Sequence, residues 1–335
     1  MLHSHGRCFP TWRESVRFRF AAVVLLLALP STASAQFKAE SEPKGARLTP
    51  GLTQRLRVGI SVIAGAAPCK SIMATIPVPA DWPEQQLKIV NEEMTPGVKP
   101  IQYRVTGGGL RQMIVEIPFI PAGQEAKAIL TFEAARAVIS PPPDTSIYSI
   151  PKKIDRDLLL ATGSSPLIET RTPKIMSLAK EITAGKETAW QQVEALYDWV
   201  RENIQFKKEK GLKGAARALV DKEGDIDELV SLFIALCRNH KVPARTVFVP
   251  GNAYAEFYLV DQEGEGHWFP CQLVGAKSFG GINEPRPILQ KGDNFHDPER
   301  GREAMRYVTE FLKVSGSKPA KHTFIREVTG TNPIP

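Results

Sequence analysis

The sequence is poor in cysteine and has no spacing that would let cysteines hold a metal. Four occur in 335 residues. There is no Cys-x-x-Cys pair and no His-x-x-x-His pair, so the common zinc frameworks are excluded and no metal or other cofactor is expected. Beyond the N-terminus no apolar run is long enough to cross a bilayer, and no internal repeat is visible. Basic residues are not interleaved with aromatics, which argues against a nucleic-acid surface. The run Lys207-Lys208-Glu209-Lys210 reads as a solvated helix end. Wholesale disorder is excluded by a composition of 42% hydrophobic and 24% charged residues, which is ordinary for a globular chain. What is plentiful is proline, 27, and glycine, 25. Both favour turns and strands over a helix bundle.

The first 35 residues read as a secretory signal peptide. Arg7, Arg13, Arg17 and Arg19 form a basic leader, residues 20–29 a short apolar run, and Ala33-Ser34-Ala35 a small-x-small cleavage site. An uncleaved anchor is the rival reading. Export to the periplasm or medium is the expectation. Without the leader's four arginines and one glutamate, the totals of 43 basic and 36 acidic residues fall to 39 and 35, a net charge of +4. Cys69, Cys237 and Cys271 then remain. An odd count in an oxidising compartment leaves at least one unpaired within the chain.

Residues 36–47 read as a flexible N-terminus. Over 48–140 the pattern is strand-like, with three period-two runs. They are Leu56-Val58-Ile60-Val62, Met113-Val115-Ile117 and Ala128-Leu130-Phe132. Turn signals at 79–83, 107–109 and 121–123 divide them, as in a small β-sandwich. Pro141-Pro142-Pro143-Asp144 breaks the pattern, and a linker is placed over 141–165.

The second domain, expected over 166–330, opens with helices. One spans 188–204, with an apolar stripe from Trp190 to Ile204 and a capping box of Thr188 and Gln191. A shorter one covers 215–220. A third follows Asp225, a good N-cap, with Glu228 three positions on. Its body is apolar on nearly every face, the mark of a buried helix. Strands are expected at 245–249, 253–260 and 267–272, the last two joined as a hairpin by the loop 261–266. A final strand pair is expected from 306–312 and 323–328. A buried helix leading into an antiparallel sheet makes the fold class α+β.

These residues carry a resemblance. Gly224-Asp225-Ile226 opens the buried helix, Arg238 follows, and then Val242-Pro243-Ala244-Arg245. The stretch Asn252-Ala253-Tyr254-Ala255-Glu256 comes next, then Trp268-Phe269-Pro270-Cys271-Gln272. In order and helix register this resembles the transglutaminase-like superfamily, which has the papain-type cysteine-enzyme fold. The match covers about 165–275. The β-rich region before it is compatible with the N-terminal β-domain of bacterial members. The signature it resembles is Gly-Asp-Cys, His-x-Trp-x-Glu and Trp-x-Pro-x-Asp. In those enzymes the Cys is a thiolate nucleophile at a helix N-terminus, the His moves protons and the Asp orients the His.

Here the resemblance places Ile226 at the Cys position, Asn252 at the His position and Gln272 at the Asp position. Isoleucine has no lone pair, and asparagine does not titrate near neutral pH. The expectation is a pseudo-enzyme that acts as a binding or scaffold module, with envelope proteins or peptides as partners. The alternative is an active protein-glutamine transamidase, or a cysteine-type amidase or peptidase, using other residues. Those residues are not obvious. On a strand Cys271 faces away from Gln272. His267 lies about 13 Å of extended chain from Cys271, and Cys237 about 16 Å down the helix from Ile226. Arg245 and Glu256, on adjacent strands, are expected to pair. Trp199, Tyr254 and Trp268 read as core aromatics. Asn252 and Gln272 could line a small polar cleft. Asp225, Asp227 and Glu228 read as a cap with an acidic first turn, against a rival reading as cation ligands.

Overall fold

Strand β1, Arg47–Ile63, sends Leu56, Val58, Ile60 and Val62 into the interior and leaves the residues between them on the other side. That alternation is the period-two pattern made solid. The computed structural model that shows it describes residues 45–208, 211–316 and 319–333. The leader over 1–35, and all but the end of the 36–47 segment, lie outside the described residues.

Five more strands follow: β2, Cys69–Val78; β3, Gln85–Met94; β4, Gln102–Thr106; β5, Leu110–Ile120; and β6, Glu125–Ser140. A one-turn helix α1, Arg156–Leu159, precedes α2, Pro173–Thr183, and α3, Ala189–Asn203. Next come β7, Gln205–Phe206; α4, Ala215–Asp221; β8, Glu223–Gly224; and α5, Ile226–Asn239. The antiparallel strands β9, Ala244–Val249, β10, Asn252–Val260, and β11, Gly266–Gln272, come after α5. Short strands β12, Ser278–Phe279, and β13, Gln290–Lys291, and the later β14, Phe311–Val314, and β15, Lys321–Pro333, complete the order.

Two four-stranded sheets, β15-β1-β6-β3 and β14-β2-β5-β4, make the sandwich. Their inner faces share one core, built from the alternate residues of β1, β2, β5 and β6. Gly59 lies in the central strand β1, paired with Ile129 on one side and Ile325 on the other. A Cβ there would come within 2.2 Å of the Ala128 carbonyl oxygen. The close approach of β6 therefore requires glycine at this point.

The pair expected from 306–312 and 323–328 is corrected. Residues 306–310 are not strand, β14 pairs with β2, and β15 pairs with β1. Each lies at an edge of the sandwich, in a different sheet. Their apolar alternation identifies strands but not partners. The free edges of β1 and β2, more than 200 residues upstream, supply unpaired backbone groups that the last strands satisfy.

The second sheet has the order β12-β11-β10-β9-β13, and α5 lies against β9 and β10 with α2, α3 and α4 beside it. Residues 228–238 of α5 are all buried, as a helix apolar on every side requires. The aromatic core under it includes Trp190 packed edge-on to Phe257, Phe269 and Phe279. The described residues all fall in one compact unit. The fold is α+β: a β-sandwich followed by a buried helix on an antiparallel sheet. No helix of the described residues is long and apolar enough to cross a membrane.

Candidate functional site

The N-terminus of α5 is organised by its own first turn. Asp225 accepts from the backbone N–H groups of Asp227 at 2.8 Å and Glu228 at 3.3 Å. Glu228 reaches back to the Asp225 N–H at 3.0 Å and also accepts from the Lys213 N–H at 2.7 Å. This is the capping box expected from the sequence. Arg306, itself buried, reaches Asp227 at 3.3 Å. The acidic trio is thus engaged by backbone donors and one guanidinium.

Burial and the neighbouring Glu228 push the Asp225 carboxyl up to about 7. Glu228 is the member that stays ionised, since its hydrogen bonds outweigh its burial. A carboxyl whose native pKa exceeds its unfolded value adds stability that is fully present below about pH 3.9. That contribution is lost as pH rises through about 7. Asp225→Asn keeps a good cap and cannot titrate. Melting curves of wild type and variant are therefore expected to diverge with pH. The Asn protein should gain in Tm relative to wild type between about pH 5 and pH 8. A constant difference across that range would assign the ionisation elsewhere.

Ile226 is the first residue of α5, half-buried and packed against the helical core. Asn252 starts β10, opposite Val249 in the β9–β10 turn, and donates to Glu284 at 3.4 Å. Gln272 ends β11 and turns its amide back on the Val274 carbonyl at 2.8 Å. Its own carbonyl accepts from the Tyr197 hydroxyl and from Arg201. Among the described residues no hydrogen bond joins Asn252 to Gln272. Each position closes on a local partner.

Among the described residues the three cysteines, Cys69, Cys237 and Cys271, are free and buried. Cys237 and Cys271 lie in the helical core and Cys69 in the sandwich core. Burial pushes the Cys237 and Cys271 thiols well up, the opposite of what a nucleophile needs. His267 bonds Asp261 at 3.0 Å. Asp261, Glu265 and His267 bring one ligand atom each within 4.8 Å of one another. Asp261 is already satisfied by the Glu263 and Glu265 N–H groups, so this cluster reads as a pinned hairpin turn.

The expected Arg245–Glu256 pair is present at 2.7 Å, and it belongs to something larger. Lys291 donates to Glu256 at 2.6 Å and also to Glu84, from the sandwich. The Arg245 guanidinium lies 3.9 Å over the Trp268 ring, and Lys291 lies 5.0 Å over Trp82. Burial alone would raise the Glu256 carboxyl, but Lys291 and Arg245 outweigh it and hold it down to about 2. Its stabilising contribution is present above the usual carboxylate range and is lost as pH falls through about 2. A second buried pair joins Arg238 to Asp293 at 2.8 Å, both fully buried. Glu84, Lys291, Asp293 and Arg306 were not legible as partners in the sequence. Each is one charge in a loop or short strand, and only the fold brings it near its opposite.

Residues 176–273 match the family model of the transglutaminase-like superfamily. None of the curated proteins matches the chain significantly. Among solved structures, a candidate cysteine protease from Cytophaga hutchinsonii is similar over 87% of this chain and 95% of its own, with TM-score 0.53 and 15% identity. That likeness is one of fold. A candidate protease from Parabacteroides distasonis aligns over 66% of this chain and 47% of its own, with TM-score 0.28 and 13% identity.

Proposed function

We propose that the chain is a catalytically inactive member of the transglutaminase-like superfamily, whose family model matches residues 176–273, acting as a binding or scaffold module. The observation that carries this reading is Ile226 at the first turn of α5, half-buried against the core. A cysteine enzyme of this fold needs a thiolate there, where the helix dipole favours the anion. Asn252 and Gln272, taken as the other two catalytic positions, add no base and no acid. The buried cysteines do not supply a replacement thiol. Losing every member of such a unit removes the covalent route. In this reading the protein is exported through its leader and meets proteins or peptides of the cell envelope.

The test restores the chemistry. Wild type and an Ile226→Cys/Asn252→His double variant are compared for thiol alkylation against pH and for amine incorporation into a glutamine peptide. Wild type is expected to be silent in both, and the variant to gain a rapidly alkylated thiol below about pH 8, the sign of a depressed thiol pKa. Amine transfer or amide hydrolysis by the wild type would overturn the proposal and assign the chemistry to other residues.

A further inference from the structure

A cleft of about 400 Å³ lies between the sandwich and the second sheet. Its volume is in the range of sites that hold small ligands or short peptide segments. The sandwich side presents Leu48, Trp82 and Ile139, with Glu84 beside them. The other carries Arg245, Glu256, Trp268 and Lys291. Ala244 and Phe257 pack toward α5, so their strand neighbours Arg245 and Glu256 face the other side of the sheet. The cleft is thus on the face away from Ile226, and nothing about it depends on whether the domain catalyses.

We propose that this cleft binds a neutral amide-bearing ligand, a short peptide segment, through a carbonyl oxygen that accepts a hydrogen bond from Arg245, beside an apolar side chain. Three observations select that chemistry. First, Arg245 spends Nε and Nη2 on Glu256. Its Nη1 has no partner among the described residues and is not among their buried unsatisfied atoms, so it is a free donor. Second, the guanidinium carbon lies 3.9 Å over the Trp268 ring, which restrains the group and lowers the ordering cost of using that donor. Third, these charges of the cleft cancel: Arg245 and Lys291 stand against Glu84 and Glu256. A free carboxylate entering beside Arg245 would meet two carboxylates already there, whereas a neutral carbonyl gains the hydrogen bond without that repulsion. Leu48, an exposed large apolar residue, and the Trp82 face then receive the side chain.

The experiment uses the purified protein and three probes: N-acetyl-phenylalaninamide, the free acid N-acetyl-phenylalanine, and cellobiose. Indole N–H signals are followed by NMR, assigned with Trp82→Phe and Trp268→Phe. The amide is expected to shift both indole signals in a saturable way, with the acid several-fold weaker and cellobiose without effect. Arg245→Lys keeps a cation beside Glu256 but loses the guanidinium edge, and should weaken the amide by about tenfold. Leu48→Asp changes only the exposed rim and should weaken it as well, which covers the case in which the Arg245 variant fails to fold. No saturable shift with the amide, an acid or sugar that binds more tightly, or indifference of the amide to both variants would each overturn the proposal.

Discussion

Asp293→Ala is expected to destabilise the protein by about 3–5 kcal/mol, read as a shift of the chemical denaturation midpoint with unchanged slope. Both members of the Arg238–Asp293 pair have 0% side-chain exposure. Asp293 accepts from Arg238 on both oxygens, at 2.8 and 2.9 Å. It also accepts from Ser165 at 2.6 Å and from the Thr246 N–H at 3.3 Å. Arg238 itself bonds the Ala244 and Gly163 carbonyls. One ion pair therefore ties the end of α5 to the start of β9, to the connector before α2, and to the segment after β13. Removing the acid leaves a guanidinium charge buried without a counter-ion, which is the expensive case. Arg238→Leu combined with Asp293→Leu should recover most of the loss, because no charge is then stranded. A loss below about 1 kcal/mol for Asp293→Ala would show that water reaches Arg238 when its partner is gone.

Ending the chain after residue 310 is expected to abolish cooperative folding of the sandwich and to produce aggregates in size-exclusion chromatography. The register of β15 on β1 runs from Leu52–Pro333 to Ile63–Lys321, and that of β14 on β2 from Thr75–Phe311 to Ile72–Val314. Cross-strand pairs contribute roughly 0.2–1 kcal/mol each. Losing two edge strands therefore removes an amount comparable with the total stability of a domain, about 5–15 kcal/mol. It also bares the edges of β1 and β2, which are long and flanked by apolar residues, a template for pairing with other chains. Adding back a synthetic 319–335 peptide should restore part of the lost signal by strand addition. A truncated protein that stays monomeric with an unchanged melting curve would show that the last strands are dispensable.

How much could be read beforehand differs by element. The helix α5 was legible because its cap, its acidic first turn and its all-round apolar body are local features, the cap Asp225 directly preceding the fourteen-residue helix. The capping box of α3 was legible for the same reason, Thr188 and Gln191 being three apart. The β1, β5 and β6 runs were legible from alternation alone. The destination of β15 was not, because alternation tells which face of a strand is buried and says nothing of which edge it joins. The Arg245–Glu256 pair could be anticipated from a hairpin register only eleven residues apart. Its extension to Lys291 and Glu84 could not: Glu84 is more than 200 residues from Lys291 in the chain.

The amino-acid sequence by itself therefore determined the buried helix α5, the alternation of β1, β5 and β6, the α+β class, the transglutaminase-like resemblance and the chemical poverty of Ile226, Asn252 and Gln272. Those are properties of residue identity and short-range pattern, and they hold in any arrangement of the chain. Only the tertiary structure decided that the last strands close the first sandwich and that Arg238 meets Asp293. It also decided that a charge-balanced cleft with one free guanidinium edge opens on the face away from α5. Those strand partners, that counter-ion and that cleft are made by residues distant in sequence, so no local pattern encodes them.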